Sequence, residues 1–435
     1  MSTTAEAAPS WEDTKNASPV DAGCSARVAR RQRFVLREGV QLLGPGPGHD
    51  RDSDPLRRVR ACGRIMVNGT TASVDVERES GRARYGGLAV CGSIHACPVC
   101  SATIRHQRSL DIEEACERHL AAGGRLIMVT LTTRHDAAMA LAGLWSVVTK
   151  ALRHVRSGKA AKALHDRLGL VGSIRAVEVT CGDHGWHPHV HLLLFVEARG
   201  SVEEQLLDVE RTWWPRWEAG VVRQGYPAPL PGPGILVQPV GLAEVGTYLA
   251  KVQDGYGGMW GPGRELARAD LKRSRGAHGV TPFGLLERYL EEGDVRDLAR
   301  WREWETASKG RRAIVWSNHL RTRLGMNEEL DDQAAAEREG WAADPVYVLT
   351  VPEWRAVLAT RRQAEVLDAA EHGRTDAVRV LLGELLDLDL DELACEACEW
   401  TSDGLRVDPC PSCGEVLRAA SDAVRAAEEA RRGKA

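Results

Sequence analysis

The pattern of apolar and polar residues predicts a chain that mixes helices with a few strands. The run 126–133 is dominated by aliphatic and β-branched residues, which favour a strand. Similar runs at 173–180 and 189–196 flank the turn-forming residues 182–185, so we predict a hairpin there. The other predicted elements are helices at 26–37, 107–122, 138–168 with a break near Gly158, 201–219, 242–253 and from 282 onward, and a strand at 235–240. This order predicts an α+β fold in which helices pack on one face of a small antiparallel sheet.

Composition indicates a folded protein with two or three domains, because 43% of the 435 residues are apolar and 27% are charged. No stretch approaches the roughly 20 apolar residues that a membrane span needs, and residues 1–23 lack the pattern of a secretory signal. We therefore expect a cytoplasmic protein without membrane partners. We predict a flexible leader at 1–60, a zinc-binding module at 61–106 and a central sheet domain at 107–325. We predict that the acidic C-terminal region at 326–435 is helical and ends in a zinc-ribbon-like knuckle.

The net charge of −4 conceals an uneven distribution. Residues 326–435 contain 25 acidic and 12 basic side chains, a net charge of −13, whereas the other 325 residues carry +9. A basic body attracts polyanions such as nucleic acids, because contacts with phosphates release condensed counterions. An unevenly charged, solvated surface would give the same numbers. The charge alone therefore does not distinguish nucleic-acid binding from an ordinary surface, and sequence motifs are needed.

The segment 187–191, His-Pro-His-Val-His, leads into an apolar strand and carries candidate metal ligands. Strand side chains alternate between faces, so His189 and His191 project from the same side. Two imidazoles inside an apolar strand favour a shared metal ion, although ordinary hydrogen-bonded histidines have the same spacing. His187 is a weaker candidate, since Pro188 can turn it away.

The predicted hairpin supplies a third ligand. If its turn is centred between Asp183 and His184, Glu178 lies directly opposite His189. One carboxylate beside two imidazoles suits Mg²⁺ or Mn²⁺ acting on a phosphate, and it does not exclude Zn²⁺. The plainer interpretation of Glu178 is an exposed acid on a strand.

A tyrosine follows a glutamate by one turn in the predicted helix 242–253. Glu244, Tyr248 and Lys251 then share one helix face. A phenol can attack phosphorus when a metal polarises the phosphate and a cation such as Lys251 offsets the developing charge. Glu244 could activate a second nucleophile such as water. The spacing alone is also that of an ordinary helix surface.

Two groups of cysteines have the spacing of structural zinc sites, although reduced cysteines without metal remain an alternative. A knuckle of the form Cys-x5-Cys-Pro-x-Cys and one upstream cysteine make the first group: Cys62, Cys91, Cys97 and Cys100. His95 is the substitute ligand if Cys62 takes no part. Two knuckles of zinc-ribbon type make the second group: Cys395, Cys398, Cys410 and Cys413. The acidic surroundings of the second group favour a contact with protein rather than with DNA.

Basic residues concentrate in two downstream stretches that also contain or flank tryptophans. The DNA-binding candidates are Arg264, Arg268, Lys272, Arg273, Arg275, Arg311 and Arg312. Arginines near aromatic rings suit the phosphates and exposed bases of single strands. Trp301 and Trp304 have the spacing of a helix core, so the charges carry this prediction more than the rings do.

Several motifs occur in the order found in one family. The matching segments are 129–135 (VTLTTRH), 187–191 (HPHVH), 244–251 with its acid four residues before the tyrosine, 281–286 (TPFGLL) and 309–317 (KGRRAIVWS). With them the chain resembles rolling-circle plasmid replication initiators of the HUH endonuclease superfamily, of the Gram-positive and actinobacterial type with a single catalytic tyrosine.

The resemblance covers roughly residues 60–325 and implies an HUH-type nicking and origin-binding domain at 107–325. It implies a covalent bond between Tyr248 and the 5′-phosphate of the nicked strand, and Glu244 as the base that ends the cycle by hydrolysis. The implied cofactors are Mg²⁺ or Mn²⁺ for catalysis and Zn²⁺ for structure. The implied partners are double-stranded origin DNA, single-stranded DNA, and a host helicase, polymerase and single-strand-binding protein.

Two other classes of function remain open at this point. One is a conjugative relaxase or single-strand transposase of the same superfamily, and the other is a non-catalytic, zinc-dependent DNA-binding regulator. The histidine and tyrosine motifs speak against the regulator. A carboxylate at Glu244, where a second tyrosine would allow two alternating transfers, speaks against the transposase.

Overall fold

A computed structural model describes residues 19–46, 48, 53–54, 56–241, 279–338 and 341–386. The strands in these residues are β1 (Thr71–Glu77), β2 (Ala83–Gly86), β3 (Gly124–Leu131), β4 (Leu170–Gly182), β5 (Gly185–Glu197), β6 (Ile235–Pro239), β7 (Ile314–Trp316) and β8 (Ala343–Thr350). The helices are α1 (Pro19–Leu42), α2 (Arg57–Ala61), α3 (Pro98–Ala121), α4 (Leu141–Val155), α5 (Gly158–Leu168), α6 (Val202–Val222), α7 (Pro282–Glu292), α8 (Val295–Ser308), α9 (Leu320–Arg323), α10 (Asp332–Glu337), α11 (Val351–Ala359) and α12 (Gln363–Leu386).

The fold is α+β with antiparallel sheets, as predicted, and its residues divide into two compact units. The described residues of Arg105–Leu285 and Glu303–Glu329 form the first unit. Those of Ser18–Ile104, Leu286–Arg302 and Leu330–Ala435 form the second unit. Within the described ranges, no helix combines the length and the apolar character that crossing a membrane requires.

The first unit is built on a sheet whose strand order, among the described residues, is β6-β3-β5-β4-β7. The predicted hairpin is confirmed: β4 and β5 pair so that Glu178 lies opposite His189 and Gly182 opposite Gly185. Gly185 has a φ of +84°, a backbone conformation that favours glycine, and a Cβ there would lie 2.8 Å from the Cα of Ala137. The glycine therefore permits the tight turn that sets the register of the hairpin.

The two faces of this sheet are both covered. Even-numbered residues of β5, from Val190 to Val196, pack with α4, α5 and α6 around Trp213 and Trp217. On the other face, His119 of α3 lies edge-on to Phe195 with ring centroids 5.2 Å apart. The prediction of helices on one face is therefore incomplete, because apolar residues at both parities of β5 leave two faces to be buried.

The second unit contains a sheet that the sequence analysis did not predict. Its order among the described residues is β2-β1-β8, and Ala72, Val74 and Val76 alternate into a core formed with α11 and α12. Strand β8 lies in the region 326–435, which was predicted to be helical apart from its cysteine knuckles. That prediction is wrong for β8. Most residues of β8 are exposed or half-exposed, so its sequence has no clear alternation of apolar and polar residues.

Helix α1 also differs from its prediction at 26–37, because it spans Pro19–Leu42. Leu36 and Val40 are buried one turn apart, and the guanidinium of Arg30 donates to Asp368 at 2.8 Å. These contacts within the second unit stabilise a helix that is longer than the predicted segment 26–37.

Candidate metal sites

Glu178, His189 and His191 converge on one face of the first unit's sheet. The Nε2 atoms of His189 and His191 lie 3.0 Å and 3.3 Å from Oε2 of Glu178. The three ligand atoms lie within 4.8 Å of one another, so one ion can reach all of them. Hydrogen-bonded pairing places Glu178 across from His189, and strand alternation places His191 beside both. We call these three residues the metal trio.

The pKa shifts of Glu178 and His191 suit the binding of a cation. Burial alone would raise the pKa of Glu178, but hydrogen bonds from His189 and His191 outweigh it and lower the pKa to about 2. Burial lowers the pKa of His191, although its hydrogen bond to Glu178 acts in the opposite direction. An ionised carboxylate and a neutral imidazole are the forms that bind metals, so Glu178 and His191 fit a divalent ion.

Thr130 of β3 supports His191 from the far side of its ring. The Oγ1 atom of Thr130 lies 3.0 Å from Nδ1 of His191, and the two residues pair across β3 and β5. With a metal ion bound, Nδ1 would donate to Thr130, and the lone pair of Nε2 would bind the ion in place of the hydrogen bond to Glu178. The sequence analysis placed Thr130 in a family motif but did not link it to the histidines, because their contact spans 61 positions.

Replacing Thr130 by valine is expected to weaken Mn²⁺ binding at the metal trio by about tenfold or more, because the imidazole loses the acceptor that fixes its tautomer. Calorimetric or spin-resonance titration with Mn²⁺ measures the effect. Thr132→Val is the matched control, since the Thr132 hydroxyl donates to the carbonyl of Pro233 instead. Equal Mn²⁺ affinities in the two variants would remove Thr130 from the site.

His187 projects from the same face as the metal trio, so Pro188 does not turn it away. Its Nδ1 atom lies 3.2 Å from Nδ1 of His135, and its ring centroid lies 5.0 Å from that of His189. Burial, with repulsion from His189 and His135, lowers the pKa of His187 to about 4. His187 and His135 therefore form a histidine pair beside the metal trio, in which the lowered pKa keeps His187 neutral at pH 7.

Glu303 of α8 anchors the hairpin that carries these histidines. Its Oε2 atom accepts a hydrogen bond from the indole of Trp186 at 2.7 Å, and Oε1 accepts one from the backbone N–H of Leu141 at 2.7 Å. One carboxylate thus joins the start of β5 to the start of α4. The sequence analysis missed this residue, since nothing in its local pattern distinguishes it from an exposed helix acid.

The first cysteine group also comes together, in the second unit. Cys62 lies 3.5 Å from Cys100, Cys91 lies 3.5 Å from Cys100, and Cys97 lies 3.8 Å from Cys62, measured between sulfurs. Tetrahedral zinc with bonds of about 2.3 Å would place its sulfurs about 3.8 Å apart. The cysteines are free and buried, and hydrogen bonds from Cys100, Cys91 and Cys97 lower the pKa of Cys62. The four thiols fit structural zinc without His95.

Several predicted site residues lie outside the described residues. They are Glu244, Tyr248, Lys251, Arg264, Arg268, Lys272, Arg273, Arg275, Cys395, Cys398, Cys410 and Cys413. Of the other DNA-binding candidates, Arg312 is exposed, whereas Arg311 is half-buried with its guanidinium 4.8 Å from the ring centroid of Trp145. Trp301 and Trp304 are buried, as their helical spacing predicts.

Comparison with known proteins matches the chain to a family of replication proteins and to two Streptomyces proteins. Residues 88–222 match a family described as replication protein, and this range includes the metal trio and three of the four clustered cysteines. The chain is 33% identical over 350 residues to "Protein rep" of Streptomyces lividans, covering 66% of this chain and 76% of that protein. It is 36% identical over 138 residues to a "Neomycin resistance protein" of Streptomyces cyanogenus, covering 26% and 32%. No solved structure matches this chain.

Proposed function

Because this chain belongs to the family of replication proteins that initiate rolling-circle plasmid replication, we propose that it is an HUH-type endonuclease that nicks the origin of a plasmid or integrative element. The observation that carries the proposal is the convergence of Glu178, His189 and His191 within 4.8 Å on one sheet face. Such a donor set holds a divalent ion next to a phosphate and leaves coordination positions open.

The residues of the metal trio would bind Mg²⁺ or Mn²⁺, which supplies polarisation of the scissile phosphate. The Tyr248 oxygen would attack the phosphorus, forming the tyrosyl bond to the 5′-phosphate as the bond to the 3′-oxygen breaks. The released 3′-hydroxyl would prime synthesis by a host polymerase. Lys251 would offset charge at the phosphate, and Glu244 would take a proton from the water that ends the cycle.

The remaining predicted residues have supporting roles in this proposal. Cys62, Cys91, Cys97 and Cys100 would hold structural Zn²⁺, and the knuckles at 395–413 would hold a second zinc for contacts with protein. The basic residues at 264–275, with Arg311 and Arg312, would bind origin DNA and the displaced single strand. A host helicase and single-strand-binding protein would act on the opened strand.

A nicking assay tests the proposal directly. Purified full-length protein is expected to convert supercoiled plasmid carrying the cognate origin to open circles with Mg²⁺ or Mn²⁺, and not with chelator. A plasmid without the origin is the control for specificity. Binding to the origin without any nicking under either metal would instead favour the non-catalytic zinc regulator.

A further inference from the structure

Two arginines, Arg156 and Arg175, lie on the face of the first unit's sheet that packs against α4, α5 and α6. Ser173 and Arg175 of β4 face the same side as Val177, which packs on the core with α4, α5 and α6. Arg156, at the C-terminal end of α4, donates from Nη2 to Oγ of Ser173 at 2.9 Å. Arg156 and Arg175 are each half-buried, so their charges are only partly solvated.

Arg156 and Arg175 have no counter-charge among the residues that the structure describes. No carboxylate in the described parts of the chain forms an ion pair with Arg156 or Arg175, and Nε of Arg175 is buried without a hydrogen-bond partner. Burial is the main cause of the lowered pKa of Arg175, and repulsion from Arg156 is the second. By contrast, Arg167 on α5 pairs with Asp208 at 2.9 Å, and Arg199 pairs with Glu197 at 2.6 Å.

The surroundings strengthen the positive charge. Residues 153–175 contain six lysines and arginines and one acid, the exposed Asp166. Burial, and then repulsion from the charge of Arg156, lowers the pKa of His165 of α5. The Nε2 atom of His165 is buried without a hydrogen-bond partner. The backbone carbonyls at the end of α4 are not available to Arg156, because Arg216 binds those of His154, Val155 and Ser157.

Two adjacent, half-buried guanidinium groups are unfavourable unless an anion joins them, because each loses hydration without gaining a carboxylate partner among the described residues. A phosphate suits the pair best, since its oxygens accept paired hydrogen bonds from the planar guanidinium fork. Arg175 is three positions from Glu178 on β4, about 10 Å along the strand, and it projects from the opposite face. A phosphate held there is not the one that the metal trio would activate.

We propose that Arg156 and Arg175 bind a backbone phosphate of DNA at a contact separate from the nicking site. This inference rests on the proposed function for the identity of the polyanion. It assigns a DNA contact to the α4–α5 connection and β4, outside the downstream basic stretches named from the sequence. Arg153 of α4 and Lys159 and Lys162 of α5 are exposed basic residues in the same segment of the chain.

The test measures DNA affinity at several salt concentrations with full-length protein and a fluorescent origin duplex, without added divalent ion. The variant carrying Arg156→Gln and Arg175→Gln is expected to lose about one from the slope of log affinity against log salt, because the two arginines together neutralise one phosphate. At 0.1 M salt the affinity of this double variant should fall about tenfold. The matched control carries Arg167→Gln and Arg199→Gln, which remove the same charge from arginines that already have carboxylate partners.

A melting experiment without DNA separates binding from folding. The Arg156→Gln, Arg175→Gln variant should melt no lower than wild type, because it loses mutual repulsion, and inorganic phosphate should stabilise wild type alone. If the glutamine variant unfolds, a variant with Arg156→Lys and Arg175→Lys takes its place. It keeps both charges, so its affinity for DNA should depend on salt as steeply as that of wild type.

Equal salt slopes for the glutamine variant and its control would overturn the proposal. Stabilisation by inorganic phosphate with unchanged DNA binding would also overturn it, by identifying a site for free phosphate only. Failure of the nicking function is distinguishable, because a protein that never nicks can still show the difference in salt slope between the two variants.

Discussion

Replacing His189 and His191 together by alanine is expected to abolish origin nicking while origin binding persists. The change removes two of the three donors of the metal trio and leaves Glu178 without the hydrogen bonds that hold its carboxylate in place. Loss of metal-assisted charge stabilisation, worth several kcal/mol, should lower the nicking rate by about a thousandfold or more. Conversion of supercoiled plasmid to open circles measures the rate, and a gel-shift titration measures binding.

Zinc content is the internal control for this experiment. The cysteine cluster uses no residue of the metal trio, so the double alanine variant should retain the zinc held by Cys62, Cys91, Cys97 and Cys100. His184→Ala is the matched control, because His184 is exposed at the tip of the same hairpin. Loss of all bound zinc from the double variant, or equal loss of nicking in His184→Ala, would contradict the assignment.

The hairpin is the part of the site that could be predicted from the sequence. The two-residue turn and the alternation of strand side chains determine which residues face each other, so Glu178 could be placed opposite His189 without coordinates. Local sequence contains all the information needed here, because the two strands are adjacent in the chain. The cysteine knuckle is a similar case, since its ligand spacing reflects the tight turn that presents neighbouring thiolates.

Features that depend on distant pairing could not be predicted in the same way. The contact between Thr130 and His191 needs the register of β3 against β5, and no turn chemistry determines it. Strand β8 joins β1 through pairs such as Thr71 with Thr350, and half-exposed strands have weak local patterns. That Arg156 and Arg175 form no ion pair within the described residues is likewise a property of packing, because a sequence does not show which arginines contact a carboxylate.

The second large effect concerns Tyr248, which lies outside the described residues. Tyr248→Phe is expected to bind the origin with wild-type affinity and to form no covalent DNA adduct. Phenylalanine keeps the ring but lacks the oxygen that would attack phosphorus, so the tyrosyl phosphate cannot form. Denaturing gel analysis with an origin oligonucleotide labelled at its 3′ end detects the adduct as a protein band that carries the label, because the strand on the 3′ side of the nick stays bonded to the tyrosine.

The controls decide which tyrosine is the nucleophile. Tyr256→Phe should form the adduct at the wild-type level, because Tyr256 lies eight positions on and past Gly255, where the predicted helix ends. Tyr226 is a poor nucleophile candidate, since it is half-buried against the core of the first unit. An adduct that survives in Tyr248→Phe and maps to Tyr256 would move the nucleophile off the face shared with Glu244 and Lys251. The hydrolytic role proposed for Glu244 would then lose its geometric basis, whereas the metal trio would keep its role.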